Sequence, residues 1–209
     1  MNKTFVPEPV HLPVGRKVEQ VLQGAAKVFL RDGFEGASVD DIAREAGVSK
    51  ATLYSYFADK RVLFLEVARL ECARQTDAAV TELDFAWPPR VALRHAAAKM
   101  MAFFLSDFGR QVYRVCVAES ERFPELAREF YYSGPMRGQM ALKTYLEMAV
   151  ARGDLLVDDF ELAAAQFPAL CKAELHYKLT FGIQTRFEQS ELDRIAESAI
   201  DMFLARYGA

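Results

Sequence analysis

From Lys17 onward the apolar residues recur at helical spacing, and nowhere do they alternate long enough to make a strand. Val18, Val21, Leu22, Ala25 and Phe29 stand at i, i+3, i+4, i+7 and i+11, the stripe of an amphipathic helix. Gly33 is placed to end that helix, where a left-handed residue is tolerated. Ser38 is expected to cap a second helix with Asp41 as its capping-box partner, and Val39, Ile42, Ala43 and Ala46 form its buried stripe. Gly47 stops this helix, and Ser49 caps a third that ends near Phe57, because Asp59 reads as the cap of a fourth. Later breaks fall at Trp87-Pro88-Pro89, Phe123-Pro124, Gly134-Pro135 and Arg152-Gly153. Pro168 is expected to kink or break the long pattern from Asp158 to Gly182. The pattern predicts an all-α chain of about nine helices without a sheet.

The chain has 209 residues, 52% of them apolar and 26% charged, enough for one large core or two small ones. No apolar run reaches the roughly 18 residues of a membrane span, and the N-terminus lacks the apolar core of a secretory signal, so a cytoplasmic location is expected. Cys72, Cys116 and Cys171 are odd in number and never form a CxxC pair, which argues against a disulfide framework and a zinc site. His11, His95 and His176 are scattered, and no HExxH, GxSxG or phosphate-loop pattern is present, so neither an enzyme nor a cofactor is expected. The net charge of −3 disfavours general polyanion binding. Residues 1–62 are close to neutral, with nine basic and eight acidic side chains, so nucleic acid could be held only through a local patch. Residues 1–15, with Pro7, Pro9 and Pro13, read as a disordered tail.

The local patch is GVSKATLYSYFADK, Gly47 to Lys60. At 100° per residue, Leu53 and Phe57 fall on one side and Ala51 and Ser55 opposite, with Thr52 nearby and Lys50 in the first turn. Tyr54 and Tyr56 flank that small-residue ridge. Small residues let a helix axis approach base edges, where Ala51 could touch a thymine methyl and Lys50 or Thr52 could bond a base. Tyr54, Tyr56 and Lys60 would grip phosphates on either side. Two short helices joined by a glycine turn, the second carrying such a face, read as a helix-turn-helix. A helical hairpin in an unrelated bundle is the bland alternative.

The run SVDDIAREAGVSKATLYSYF from Ser38 to Phe57, followed by Asp59-Lys60 and Leu63-Phe64, strongly resembles the DNA-binding signature of the TetR/AcrR family. The resemblance extends from about Lys17 to Thr76. It implies a three-helix DNA-binding domain over residues 16–76 and a ligand-binding and dimerisation domain over 77–209. It further implies a dimeric repressor whose DNA binding an inducer weakens; a dimer placing two such helices a DNA turn apart would read a palindromic operator, and the aromatic density of the C-terminal part points to a small, largely apolar inducer. The family's DNA-contact roles fall on Lys50, Ala51, Thr52, Tyr54, Ser55, Tyr56 and Lys60. Ser38 is similar to the cap whose helix N-terminus meets a phosphate. The segment VAESERFPELAREFYYSGP, Val117 to Pro135, resembles the AefR-like branch of the C-terminal domains.

Aromatic and thioether side chains crowd residues 100–140, which suits either an adaptable apolar cavity or a filled core. The candidate ligand contacts are Phe103, Phe104, Phe108, Tyr113, Cys116, Phe130, Met136, Met140, Phe167 and Cys171. Glu119 or His176 could meet a polar group of the ligand. The apolar residues of helix 191–207 span about 200°, so it needs partners on two sides. Together with the 158–182 segment it is expected to pair with its symmetry mate in a four-helix dimer interface. A helical module binding a protein or lipid, without operator binding, is the competing reading.

Overall fold

The computed structural model describes residues 15–209; the tail expected before Gly15 lies outside the described residues. Among these there are eleven helices and no strand: α1 (Arg16–Gly36), α2 (Val39–Ala46), α3 (Lys50–Tyr56), α4 (Lys60–Thr81), α5 (Pro89–Leu105), α6 (Asp107–Glu119), α7 (Pro124–Ser133), α8 (Pro135–Ala151), α9 (Phe160–Lys172), α10 (Leu175–Thr180) and α11 (Gln189–Tyr207). Two breaks the pattern did not reveal account for the excess over nine. Ser106 separates α5 from α6, its hydroxyl donating to the Phe103 carbonyl at 2.7 Å and accepting from the Gly109 amide at 2.9 Å. These side-chain bonds substitute for the helical ladder. Ala173 and Glu174 separate α9 from α10, whereas α9 runs through Pro168 unbroken. The proline forgoes one backbone bond without ending the helix.

Two compact units divide the chain: residues up to Ala73 with Gln111–Gly134, and Arg74–Arg110 with Pro135–Ala209. In the first, α1 buries Val18, Val21, Ala25, Val28 and Phe29. Phe29 meets Phe64 edge-on with ring centroids 5.0 Å apart, and Phe34 lies against Phe64 at the same distance. These contacts fix α1 against α4, and such aromatic pairs add about 1 kcal/mol each beyond area burial. Within α1, Gly33 takes φ 73 and ψ 178, so the helix is interrupted there before a last turn carries it to Gly36. The expected end is thus a break, in a mirror-extended rather than left-handed helical conformation. On α4, Glu66 is buried and paired with Arg69, which also reaches Glu129 of α7 at 3.7 Å.

Gly24 allows α1 and α2 to approach closely. A Cβ there would lie 2.7 Å from both the Ala46 Cβ and the Ala46 backbone nitrogen. Gly24→Ala gains about 1 kcal/mol of helix propensity, but overpacking against backbone that cannot swing aside costs roughly 1–3 kcal/mol. A net loss of up to about 2 kcal/mol is expected, measured as a lowered midpoint in thermal or urea denaturation.

The second unit is built on α5, α8, α9 and α11, whose buried residues form one cluster around Leu93, Tyr145, Leu146, Phe167 and Phe203. Phe167 and Phe203 meet edge-to-face at 5.5 Å. The Tyr145 hydroxyl donates to the Trp87 carbonyl at 2.7 Å, and that of Tyr207 to Gln166 Oε1 at 2.6 Å. Their polar ends are thereby satisfied inside an apolar setting. No helix among the described residues is long and apolar enough to cross a membrane.

Candidate nucleic-acid interface

Local capping builds the helix-turn-helix. Ser38 Oγ accepts from the Asp41 amide at 3.0 Å and donates to the Asp41 carboxylate at 2.6 Å. Asp41 therefore returns the contact to the cap's hydroxyl. The Ser38 hydrogen bond, with help from Arg44, holds the Asp41 carboxyl below its ordinary pKa despite partial desolvation. Gly47 ends α2 in the left-handed conformation, φ 63 and ψ 36. Ser49 then caps α3, accepting from the Thr52 amide at 3.0 Å. Leu53 and Phe57 are wholly buried, which orients the rest of α3. A seven-residue helix is unstable alone, so this packing supplies its order.

Lys50, Ala51, Tyr54 and Ser55 are exposed on α3, and Thr52 and Tyr56 are half-buried beside them. The expected ridge is therefore present, with Ala51 and Ser55 outward and a tyrosine on each flank. Lys50, Thr52 and Ser55 of the ridge already have partners. Lys50 Nζ lies 2.6 Å from Asp40, and this hydrogen bond and charge raise the lysine's pKa. Thr52 Oγ1 is 2.8 Å from Ser49 Oγ, and Ser55 Oγ donates to the Thr52 carbonyl at 2.7 Å. Arg44 is paired with Asp41, and Lys27 with Glu45 at 3.0 Å. The surface around α3 is thus a set of ion pairs and short hydroxyl hydrogen bonds.

Lys60 is placed differently from the other members of the set. Its ammonium donates to the carbonyls of Phe34 at 2.8 Å and Ala37 at 3.1 Å, and stands 4.6 Å from the centre of the Phe34 ring. It secures the α1–α2 turn, and a phosphate would have to compete with those bonds. Ser38 is half-buried at the start of α2, with Asp40 and Asp41 in the first turn. Their charge offsets the attraction of that helix end for an anion.

The ten candidate ligand residues are divided by the fold. Tyr113, Cys116 and Phe130 belong to the first unit, and the other seven to the second. There Phe167 and Cys171 lie in the core cluster with Phe104 packed on it, and Phe104 stacks on His176 at 6.3 Å. Met140 is 59% exposed and Tyr113 37%. Burial pushes the Cys116 and Cys171 thiols up to about 12, so both act as neutral apolar wall. A cleft of about 600 Å³ in the first unit is lined instead by Phe34, Glu35, Asp59, Lys60, Arg61, Arg114, Val115, Ala118 and Glu119. Arg61 and Glu119 pair within it at 3.2 Å. Sequence reasoning also missed Gln111 of α6, which accepts a hydrogen bond from the Phe34 amide. The two are 77 positions apart, and no local pattern marks such a pair.

A short capped helix with a flat outer ridge, carried by two others, defines a helix-turn-helix protein. The family model described as bacterial regulatory proteins, tetR family, matches residues 21–67, and that described as AefR-like transcriptional repressor, C-terminal domain, matches 91–209. The chain belongs to the TetR family of transcriptional regulators, with an AefR-like C-terminal domain. The solved structure of the flavonoid-responsive regulator FrrA is 34% identical, covering 93% of this chain and 98% of that one with a TM-score of 0.67. A TetR-family regulator from Mesorhizobium loti is 28% identical over the same shares, with a TM-score of 0.80. The transcriptional repressor AcnR of Corynebacterium efficiens is 36% identical over 59 residues, which are 28% of this chain and 31% of AcnR. These relatives are transcriptional regulators.

Proposed function

We propose that the chain is a homodimeric repressor that binds a palindromic operator and releases it on binding a small, largely apolar ligand. The observation that carries this reading is the outward ridge of Ala51 and Ser55 on α3, flanked by Tyr54 and Tyr56 and anchored by buried Leu53 and Phe57. Lys50, Ala51, Thr52 and Ser55 take the base-edge positions, Tyr54 and Tyr56 the backbone positions, and Ser38 presents the start of α2 to a phosphate. Lys60 contributes a phosphate contact only by exchanging its carbonyl partners.

Two copies are needed because one short helix gives few contacts, while two presented a DNA turn apart read both half-sites. The outer sides of α9 to α11 support such pairing: Leu162, Tyr177, Phe181 and Met202 are all at least half exposed. Exposed apolar side chains on an outer face mark an interaction site where they gather into a patch. For the ligand, Phe103, Phe104, Phe108, Met136 and Met140, with Phe167 and Cys171, supply an apolar wall in the second unit, and His176 against Phe104 supplies a polar edge. FrrA is described as flavonoid-responsive, so planar aromatic compounds are the first ligands to try. Release follows if ligand changes the separation of the two recognition helices, a shift between dimer shapes.

Selection of bound DNA from a random pool tests the reading, followed by a salt titration on the selected sequence. Six to ten phosphate contacts predict a fall of about 10³–10⁵ in affinity between 50 and 200 mM salt. Failure to enrich any sequence, with salt-insensitive binding, would favour a protein- or lipid-binding module instead.

A further inference from the structure

The chain passes from the second unit into the first inside α6, between Arg110 and Gln111. Gln111 is therefore the first α6 residue of the unit that holds the helix-turn-helix. Its side chain reaches the interruption in α1. The Phe34 amide donates to Gln111 Oε1, and a Cβ on Gly33 would lie 2.5 Å from Gln111 Nε2 and 2.8 Å from Oε1. The glutamine amide occupies the space that only a glycine leaves. Lys60, at the start of α4, holds the Phe34 and Ala37 carbonyls of the same turn. The next residue is Ser38, the cap of α2.

We infer that Gln111 is a positioning residue for the recognition helix, linking the placement of α6 to the turn that sets α2 and α3. It acts through Phe34 and Ser38 and not by touching DNA, and the inference rests on the DNA-binding reading above. The link is directional chemistry, not only packing. A hydrogen bond fails beyond about 3.5 Å, so an ångström of α6 displacement leaves the half-buried Phe34 amide without its acceptor. The turn must then follow α6 or rearrange. Arg61 to Glu119 at 3.2 Å and Asp59 to Arg122 at 3.9 Å add ion pairs that tie the start of α4 to the end of α6.

Two variants test this. Gln111→Met keeps the length and removes the acceptor, whereas Gln111→Glu keeps an acceptor oxygen. Affinity for the DNA selected by the wild type is measured with the thermal midpoint and with hydrogen exchange at the Phe34 and α2 amides. Gln111→Met is expected to weaken binding about 10-fold and to speed exchange at those amides while the midpoint stays near wild type; Gln111→Glu is expected to restore affinity and protection. Wild-type affinity in Gln111→Met, or a loss accompanied by faster exchange throughout the unit that Gln111→Glu does not rescue, would overturn the inference. A wild type that selects no DNA would overturn the DNA-binding reading and this inference with it, an outcome distinct from either variant result.

Discussion

Replacing Ala51 by Glu is expected to lower operator affinity by at least about 100-fold while leaving the fold intact, because the two effects depend on different neighbours. Ala51 is exposed at the second position of α3, after the Ser49 cap. An acidic side chain there favours the helix by a few tenths of a kcal/mol through the dipole. In a DNA groove the same carboxylate would meet phosphate walls and carbonyl acceptors. Asp40, already paired with Lys50, leaves that lysine little capacity to neutralise a second acid. Like-charge juxtaposition at an interface costs several kcal/mol, and 100-fold corresponds to about 2.7 kcal/mol. Fluorescence anisotropy with the selected DNA gives the affinity, and circular dichroism gives the melting midpoint. If the variant bound as tightly as the wild type, α3 would not be the helix that enters the groove.

The elements that were legible in the sequence are those whose determinants act over three or four residues. Ser38, Ser49 and Asp59 cap helices through amides two or three positions on, and each does so in the structure. Gly47 ends α2 by the conformation that only a glycine adopts cheaply. Prolines 89, 124 and 135 start helices, as their missing donors allow. Ser106 gave no such signal, because a serine between Leu105 and Asp107 is equally compatible with a helix interior, and only the hydroxyl's choice of Phe103 and Gly109 makes a break. The α9–α10 break was likewise hidden behind Pro168, which attracts the expectation of a kink while Ala173 and Glu174 carry none.

For the site, a helical wheel orders side chains around one axis and says nothing about other helices. It therefore placed Ala51, Ser55 and the tyrosines, but not the Lys50–Asp40 pair or the inward reach of Lys60, both of which depend on partners from neighbouring elements. Aromatic density over residues 100–140 identified apolar material without direction: Phe108 is buried while Met140 points outward. Gln111 lies outside any motif, since its function in the turn exists only once α1 and α6 are side by side.

The other large effect concerns α9. Its buried residues Ala163, Ala164, Phe167 and Cys171 define one side, and Leu162, Ala165, Gln166 and Ala169 lie exposed opposite them. Small residues on an outer helix face permit the close approach of a second helix, and the exposed Leu162 supplies apolar area at its N-terminal end. Ala169→Arg is expected to leave the proposed dimer as a monomer in sedimentation, because a self-complementary contact would carry the guanidinium twice, each time against the partner's apolar face. The chain itself should remain folded, since position 169 faces away from the core of its unit. Operator affinity should then fall by about 10²–10⁴, the avidity lost when two linked half-site contacts become independent. A single half-site should bind variant and wild type alike, which separates lost pairing from damaged recognition. A variant that remains dimeric would move the proposed interface off α9, to the exposed Tyr177 and Phe181 of the segment that follows.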